Sequence, residues 1–280
     1  MTVPTSWAGI GEADARDDIA EIYADIRATS GLPAINLVYR NMAAIPGALS
    51  HVWHVLRPLY ASGAVHDFDR EIRQHVPLPN LPPVFPYAVE AARLTETDRR
   101  EIADILNFYT AANAMNLLAL SVLLVAFDDG NGASNSSLRH LASRSPERLN
   151  PIRPLPPMDA LSADVRATIT VLNRFGEGKV SDPIAPSLFR HLAYWPSFLR
   201  LVAGHLKPAD ADGSLADAAN ALRAHAGRRA AGLSSAFPSD QLAKLEGYAR
   251  IQARTLAQQF ASLTIPRLLA ICLLLRRVLA

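Results

Sequence analysis

The chain is poor in the side chains that most cofactor and disulfide chemistry requires. Its 280 residues include one cysteine, Cys272. A disulfide framework, a structural cysteine–zinc site and a Cys-x-x-Cys redox pair are thereby excluded. Eight histidines are present, but none forms a His-x-x-x-His pair, so no histidine metal cluster is expected. There is no Walker loop and no Gly-x-Gly-x-x-Gly run, which leaves phosphate cradling without support. The Gly-x-Ser-x-Gly elbow of serine hydrolases is missing too. Charge of one sign is also lacking: 28 Lys and Arg stand against 26 Asp and Glu. That balance, +2, is too even for a dedicated nucleic-acid binder.

Export and membrane segments are equally faint. Met1 to Asp18 carries Glu12, Asp14, Asp17 and Asp18 and no basic stretch, unlike a secretory signal. The uncharged run from Met115 to Phe127 falls short of the ~20 residues that span a bilayer. Leu263 to Ala280 is longer but is broken by Arg267, Arg276 and Arg277, and reads as a buried helix whose arginines reach the surface. The expected location is the cytoplasm, with no membrane and no nucleic-acid partner.

What is present reads as helix. The 50% hydrophobic and 19% charged composition is that of a globular chain, long enough to bury roughly three-quarters of its unfolded surface. From Asp17 to Thr29, Ile19, Ile22, Tyr23 and Ile26 form one apolar stripe with acids opposite. Leu37 to Leu59 keeps helical spacing with a break near Pro46. Thr95 predicts a helix start, with Asp98 in the first turn and Ile102, Ile105, Leu106 and Tyr109 following. Asp128 to Pro157 turns to Asp, Gly, Asn and then Pro, a linker over the surface, before helix resumes at Ser162. Sustained period-two alternation is absent, and the architecture follows as all-α.

The two halves resemble each other. Leu37 to Leu49 can be laid over Ser187 to Leu199, with Arg40 on Arg190, Ala43 on Ala193 and Pro46 on Pro196. Tyr109 to Leu120 lies over Phe260 to Ile271 at nearly the same offset. The chain therefore divides into a first helical repeat (1–130), a linker (131–160) and a second repeat (161–280), packed as an intramolecular pseudo-dimer. A site is expected between the packed copies, at polar residues that one half carries and the other does not.

Asn113 and Asn116, three apart on an apolar helix, share one face; Thr264 and Arg267 are their counterparts. They serve either as interhelical hydrogen bonds or as part of a site. Asp182, before Pro183, reads as a helix N-cap and equally as a carboxylate that holds water. Its counterpart is near Leu32, so only one half has the acid. Arg40 and Arg190, matched in both halves, suggest a structural role through carbonyls. Trp53 and Trp195 read as core, and Asp128-Asp129-Gly130 as a linker turn.

Several of these stretches resemble the group I 2-haloacid dehalogenases. The likeness runs through Ile22-Tyr-Ala-Asp-Ile-Arg-Ala-Thr-Ser-Gly-Leu-Pro33, Tyr39-Arg-Asn-Met-Ala43, Asn113 to Leu118 and Val180-Ser-Asp182. It implies an all-α tandem repeat and hydrolysis without cofactor or metal. An Asp and an Asn would activate a water that attacks the halogen-bearing carbon directly and inverts it. Asp182 matches that Asp; Asn113, or alternatively Asn116, matches the Asn. A helix start around Ser181 to Ser187 would meet the substrate carboxylate. Where the family has a Trp and a Phe on the pocket wall, this chain has Ala34 and Leu37, which enlarges the pocket. Two alternatives are a non-catalytic or altered-substrate homologue that binds a small carboxylic acid, and an alkylhydroperoxidase-like helical protein without the Cys pair. A homodimer is compatible with the sequence.

Overall fold

A computed structural model describes residues 9–81, 92–128, 144–178, 184–233 and 240–279. The helices of the first half are α1 (Asp17–Ser30), α2 (Leu37–Ala43), α3 (Ala48–Ala61), α4 (Ala64–His75) and α5 (Glu96–Asp128). Those of the second are α6 (Ala163–Leu172), α7 (Leu188–Leu192), α8 (Pro196–Ala211), α9 (Ser214–Ala231), α10 (Asp240–Ala243), α11 (Gly247–Gln259) and α12 (Ile265–Leu279). A π-helical segment, Phe260–Thr264, joins α11 to α12. No strand occurs among the described residues, and the chain is all-α as its periodicity implies.

The start of α5 shows why it begins where it does. The Thr95 hydroxyl accepts from the Asp98 backbone N–H at 3.1 Å, and the Asp98 carboxylate accepts from the Thr95 N–H at 2.8 Å. Two otherwise orphaned donors are satisfied reciprocally. The other Asp98 oxygen accepts from the Trp195 indole at 2.7 Å, which ties this helix end to the second half. Ser162 caps α6 by accepting from the Val165 N–H. α1 closes on Gly31, at φ 75, where the helix needs a left-handed residue. A Cβ there would also lie 2.3 Å from the Glu147 carbonyl oxygen, so the linker can pass close to this turn.

From Ile102 to Phe127, α5 is buried almost all round, and α11, the π segment and α12 form a second long apolar rod of 32 residues, Gly247–Val278. Both rods are long and apolar enough to cross a membrane, yet 83% and 78% of their most apolar windows are buried inside the protein. The other helices clad them. α4 turns Val65, Phe68 and Ile72 inward against α5, and α9 packs on both rods.

The halves carry parallel details. Pro58 lies within α3 and Pro208 within α8, at the offset that separates Pro46 from Pro196. Left-handed glycines, Gly63 at φ 80 and Gly213 at φ 82, then start α4 and α9. The described part of the linker has no regular structure up to a short 3-10 turn, Met158–Ala160, and holds to both halves. Leu149 N–H donates to the Gly31 carbonyl at 3.1 Å, and the Arg153 and Pro154 carbonyls accept from His191 and Tyr194 at 2.8 Å each.

The structure revises two expectations. Trp53 and Trp195 are buried, but each also donates its indole N–H to a carboxylate, Asp25 and Asp98, at 2.7 Å. Ile184 to Ser187 are not helical, and the next helix begins only at Leu188, so the helix start expected at Asp182-Pro183 does not extend through this stretch. Pro186 accounts for it, because a proline disfavours the α conformation in the residue before it. Asp182, Ser181, Asp129 and Gly130 lie outside the described residues.

Thr95→Ala should remove a cap worth about 1 kcal/mol, lowering the thermal midpoint by roughly 2–4 °C. Asp98→Ala should cost more, since the Trp195 bond goes with it. Bonds from Thr95 and Trp195 hold the Asp98 carboxyl below its usual range. Its stabilisation is therefore present at neutral pH and lost as pH falls through that depressed value, so wild type and Asp98→Ala should converge in acid. Scanning calorimetry at several pH values reads this directly. Cys272 is fully buried, and burial pushes its thiol up to about 12. It should stay unreactive to a disulfide reagent at pH 8 and become titratable only on denaturation.

Candidate active site

A cavity of about 520 Å³ opens where the two buried rods meet the segments that clad them. α5 contributes Phe108, Tyr109, Ala112, Asn113 and Asn116; the π segment and α12 contribute Phe260, Thr264, Ile265 and Leu268. The turn before α2 and α2 itself supply Pro33 to Val38 and Arg40. Linker residues Ile152 to Leu155 and, from the second half, Pro186, Ser187 and His191 complete the wall. Ala34, Leu37, Asn113 and Asn116, singled out from sequence, are thus brought together, in a chamber of the size that holds small molecules. Ser181 and Asp182 precede the Pro186–Ser187 wall in the chain but lie outside the described residues.

The two asparagines differ sharply in their surroundings. Asn116 is tied down: its Oδ1 accepts from the Tyr60 hydroxyl at 2.7 Å, and Tyr60 in turn lies 2.9 Å from the Tyr39 hydroxyl. Since Tyr60 gives its proton to Asn116, Tyr39 is the donor to Tyr60. Burial raises the pKa of both phenols, so both remain protonated donors. Asn113 is only 7% exposed and its Nδ2 has no hydrogen-bond partner. At the position aligned with it, Thr264 is 2% exposed and its Oγ1 is also unpartnered. A buried polar group without a partner costs about 1–3 kcal/mol. Both residues belong to the wall of one cavity, which marks this part of the wall as the candidate site.

A hydrogen-bonded chain closes the wall on the second-half side. His191 Nε2 lies 2.8 Å from the Arg153 carbonyl, which only accepts, so Nε2 carries the proton. Nδ1 is then the acceptor for the Tyr109 hydroxyl at 2.8 Å. Burial lowers the His191 pKa, and its backbone bond to Arg153 opposes that shift less strongly. The ring is neutral around pH 7 and orients Tyr109. Burial likewise raises the Tyr109 pKa far out of the physiological range. Neither group is poised as a base, and Glu12, which also lines the cavity, is engaged by Arg27 and by the Ile35 N–H at 2.8 Å. Among the described residues no group of three His, Cys, Asp or Glu side chains could hold a metal ion.

Two features escaped the sequence reading. The π segment displaces Thr264 from regular helical register, and its cause is Pro266, whose missing N–H and bulky ring disrupt the preceding turn. Arg40 and Arg190 do not tie helices through carbonyls. Among the described residues neither guanidinium makes a hydrogen bond or ion pair, and the Nε of each is buried without an acceptor.

The chain matches no protein-family model and no curated protein sequence. It does match solved structures of D-2-haloacid dehalogenase over nearly its whole length. A mutant in complex with D-2-CPA superposes with a TM-score of 0.73 at 16% identity, covering 98% of this chain and 96% of the other. A crystal structure of a mutant gives 0.74 at 16% identity with the same coverage. The enzyme in complex with L-LA gives 0.72 at 17% identity, covering 98% and 97%. The chain therefore has the all-α fold of D-2-haloacid dehalogenase.

Proposed function

We propose that this protein is a cofactor-independent hydrolase of 2-haloalkanoic acids, similar to the group I dehalogenases. The observation that carries the reading is Asn113, a residue of the cavity wall whose buried amide nitrogen has no hydrogen-bond partner, in a fold shared with D-2-haloacid dehalogenase. In this reading Asn113 orients a water and Asp182 takes its proton as the water attacks. The water oxygen bonds to the halogen-bearing carbon from the face opposite the halogen, and the halide leaves with the bonding pair. The product is the 2-hydroxy acid of inverted configuration, formed without a covalent intermediate. Ser181 and the Ser187 wall border the substrate, and Ala34 and Leu37 shape the side that takes its alkyl chain.

The hydrogen bonds favour Asn113 over Asn116. Asn116 already spends its oxygen on Tyr60, whereas the Asn113 amide has an unused donor. We also read residues 1–130 and 161–280 as tandem copies forming a pseudo-dimer in the cytoplasm, in line with the paired prolines and left-handed glycines. A second reading, a non-catalytic protein that binds a small carboxylic acid, is favoured by Ala34 and Leu37, which make their side of the cavity wall small and aliphatic.

Incubation with each enantiomer of 2-chloropropionate should release chloride. Asp182→Asn should reduce release to background, and Asn113→Ala should lower kcat by about 10²-fold or more. Asn116→Ala should act chiefly on stability, because it leaves the Tyr60 hydroxyl without its acceptor. Full activity in Asp182→Asn would sink the assignment, and absence of halide release from wild type would leave the binding protein as the reading.

A further inference from the structure

A cavity of about 520 Å³ is much larger than 2-chloropropionate requires. At about 30 Å³ for each water-sized group, that acid fills roughly a third of the space. The remainder holds either ordered water or more of the ligand, and the chemistry of the wall decides which.

Two segments of the wall carry apolar side chains that are only half-buried. Pro33, Ala34 and Leu37 supply one, at the entry to α2, and Ile152 and Leu155 supply the other, in the linker. Asn113 and Thr264, by contrast, are buried. The segments are tied together by backbone, since the Leu149 N–H donates to the Gly31 carbonyl at 3.1 Å just ahead of each. Asn36 and Arg40 are the polar exceptions on the first segment. On the second, Arg153 is engaged elsewhere, with Glu101 at 2.6 Å and over the Tyr194 and Trp195 rings. Ordered water fills such a place poorly, because it needs about two to four polar partners and aliphatic side chains offer none. An alkyl group instead removes their surface from water, which strengthens binding roughly fourfold for each methylene fully buried.

We propose that the acid taken by this cavity carries an alkyl chain of about four to six carbons on C2, lying against the half-buried aliphatic residues of the two segments. The assignment rests on the hydrolase reading for the halogen and the reaction. It deepens that reading by naming the substrate class, the medium-chain 2-haloalkanoic acids. 2-Bromooctanoate fills roughly two-thirds of the cavity by the same measure, which leaves room for the attacking water.

The test pairs halide release with binding. Bromide release is followed from 2-bromopropionate, 2-bromohexanoate and 2-bromooctanoate, while calorimetric titration with propionate, hexanoate and octanoate reads binding without the reaction. Wild type is compared with Ala34→Phe and Ile152→Phe, which fill the apolar side from different segments, and a thermal midpoint shows which variants fold. In wild type, kcat/KM should rise about tenfold or more from 2-bromopropionate to 2-bromohexanoate, and octanoate should bind tighter than propionate by at least as much. Each folded Phe variant should cut the hexanoate-to-propionate ratio by about tenfold, whereas a chain held loosely at the surface would keep its ratio. Where neither Phe variant folds, Ala34→Leu takes their place and should cut the ratio several-fold. A flat series in wild type, or a ratio unchanged in the folded variants, would overturn the proposal. If bromide were still released, the hydrolase reading would survive that failure. Chain-length-dependent binding that the variants lose, with no bromide released, would defeat the hydrolase reading and leave a medium-chain acid as the ligand. Neither binding nor release would overturn both.

Discussion

Where α5 lies against the α11–π–α12 rod, bulk water is excluded and every polar side chain must find a partner in the protein or in the cavity. Most do. Asn116 is held by Tyr60, Thr110 bonds back to the Leu106 carbonyl at 2.6 Å, and Arg267 reaches the Asn173 and Phe175 carbonyls. Asn113 Nδ2 and Thr264 Oγ1 are left over, and both belong to residues on the cavity wall. Net stabilities of whole domains are about 5–15 kcal/mol. Against that, unmade bonds of about 1–3 kcal/mol each are a substantial cost, one that an occupant of the cavity would remove.

The same constraint links the halves to the chemistry. Each half contributes a long apolar rod and a short helix with an arginine, preceded by a proline, Pro33 or Pro186. The aligned rod positions differ: Asn113 on α5 is matched by Thr264 on a π segment, and Asn116 by the fully buried Arg267. A cavity built from two unlike walls can present an amide on one side and apolar or cationic groups on the other. A cavity between identical walls could not.

Much of the fold was legible because local chemistry decides it. Thr95 and Asp98, and Ser162, sit where caps are needed, and the apolar spacing around Tyr23 and Ile26 sets the buried face of α1. Ala34, Leu37, Asn113 and Asn116, picked out in the sequence, do lie on one cavity wall. What stayed hidden depends on contacts between residues far apart in sequence. Nothing local shows that the Trp195 indole meets Asp98, or that Tyr60 claims Asn116 and so separates the two asparagines. The shared arginines were misjudged for the same reason, since symmetry in sequence does not reveal that both lack an acceptor. Two signals were available and unused: Pro266 for the π segment, and Pro186 for the delayed start of α7.

The central claim is that water held at Asn113 and deprotonated by Asp182 attacks the substrate carbon directly. A single turnover in ¹⁸O-water, with enzyme in excess over 2-chloropropionate, tests it most directly. The account requires one ¹⁸O in the hydroxyl of the product and none in the Asp182 carboxylate, read by mass spectrometry of product and peptide. Label in Asp182 with an unlabelled product would contradict it, because the aspartate itself would then have displaced the halide.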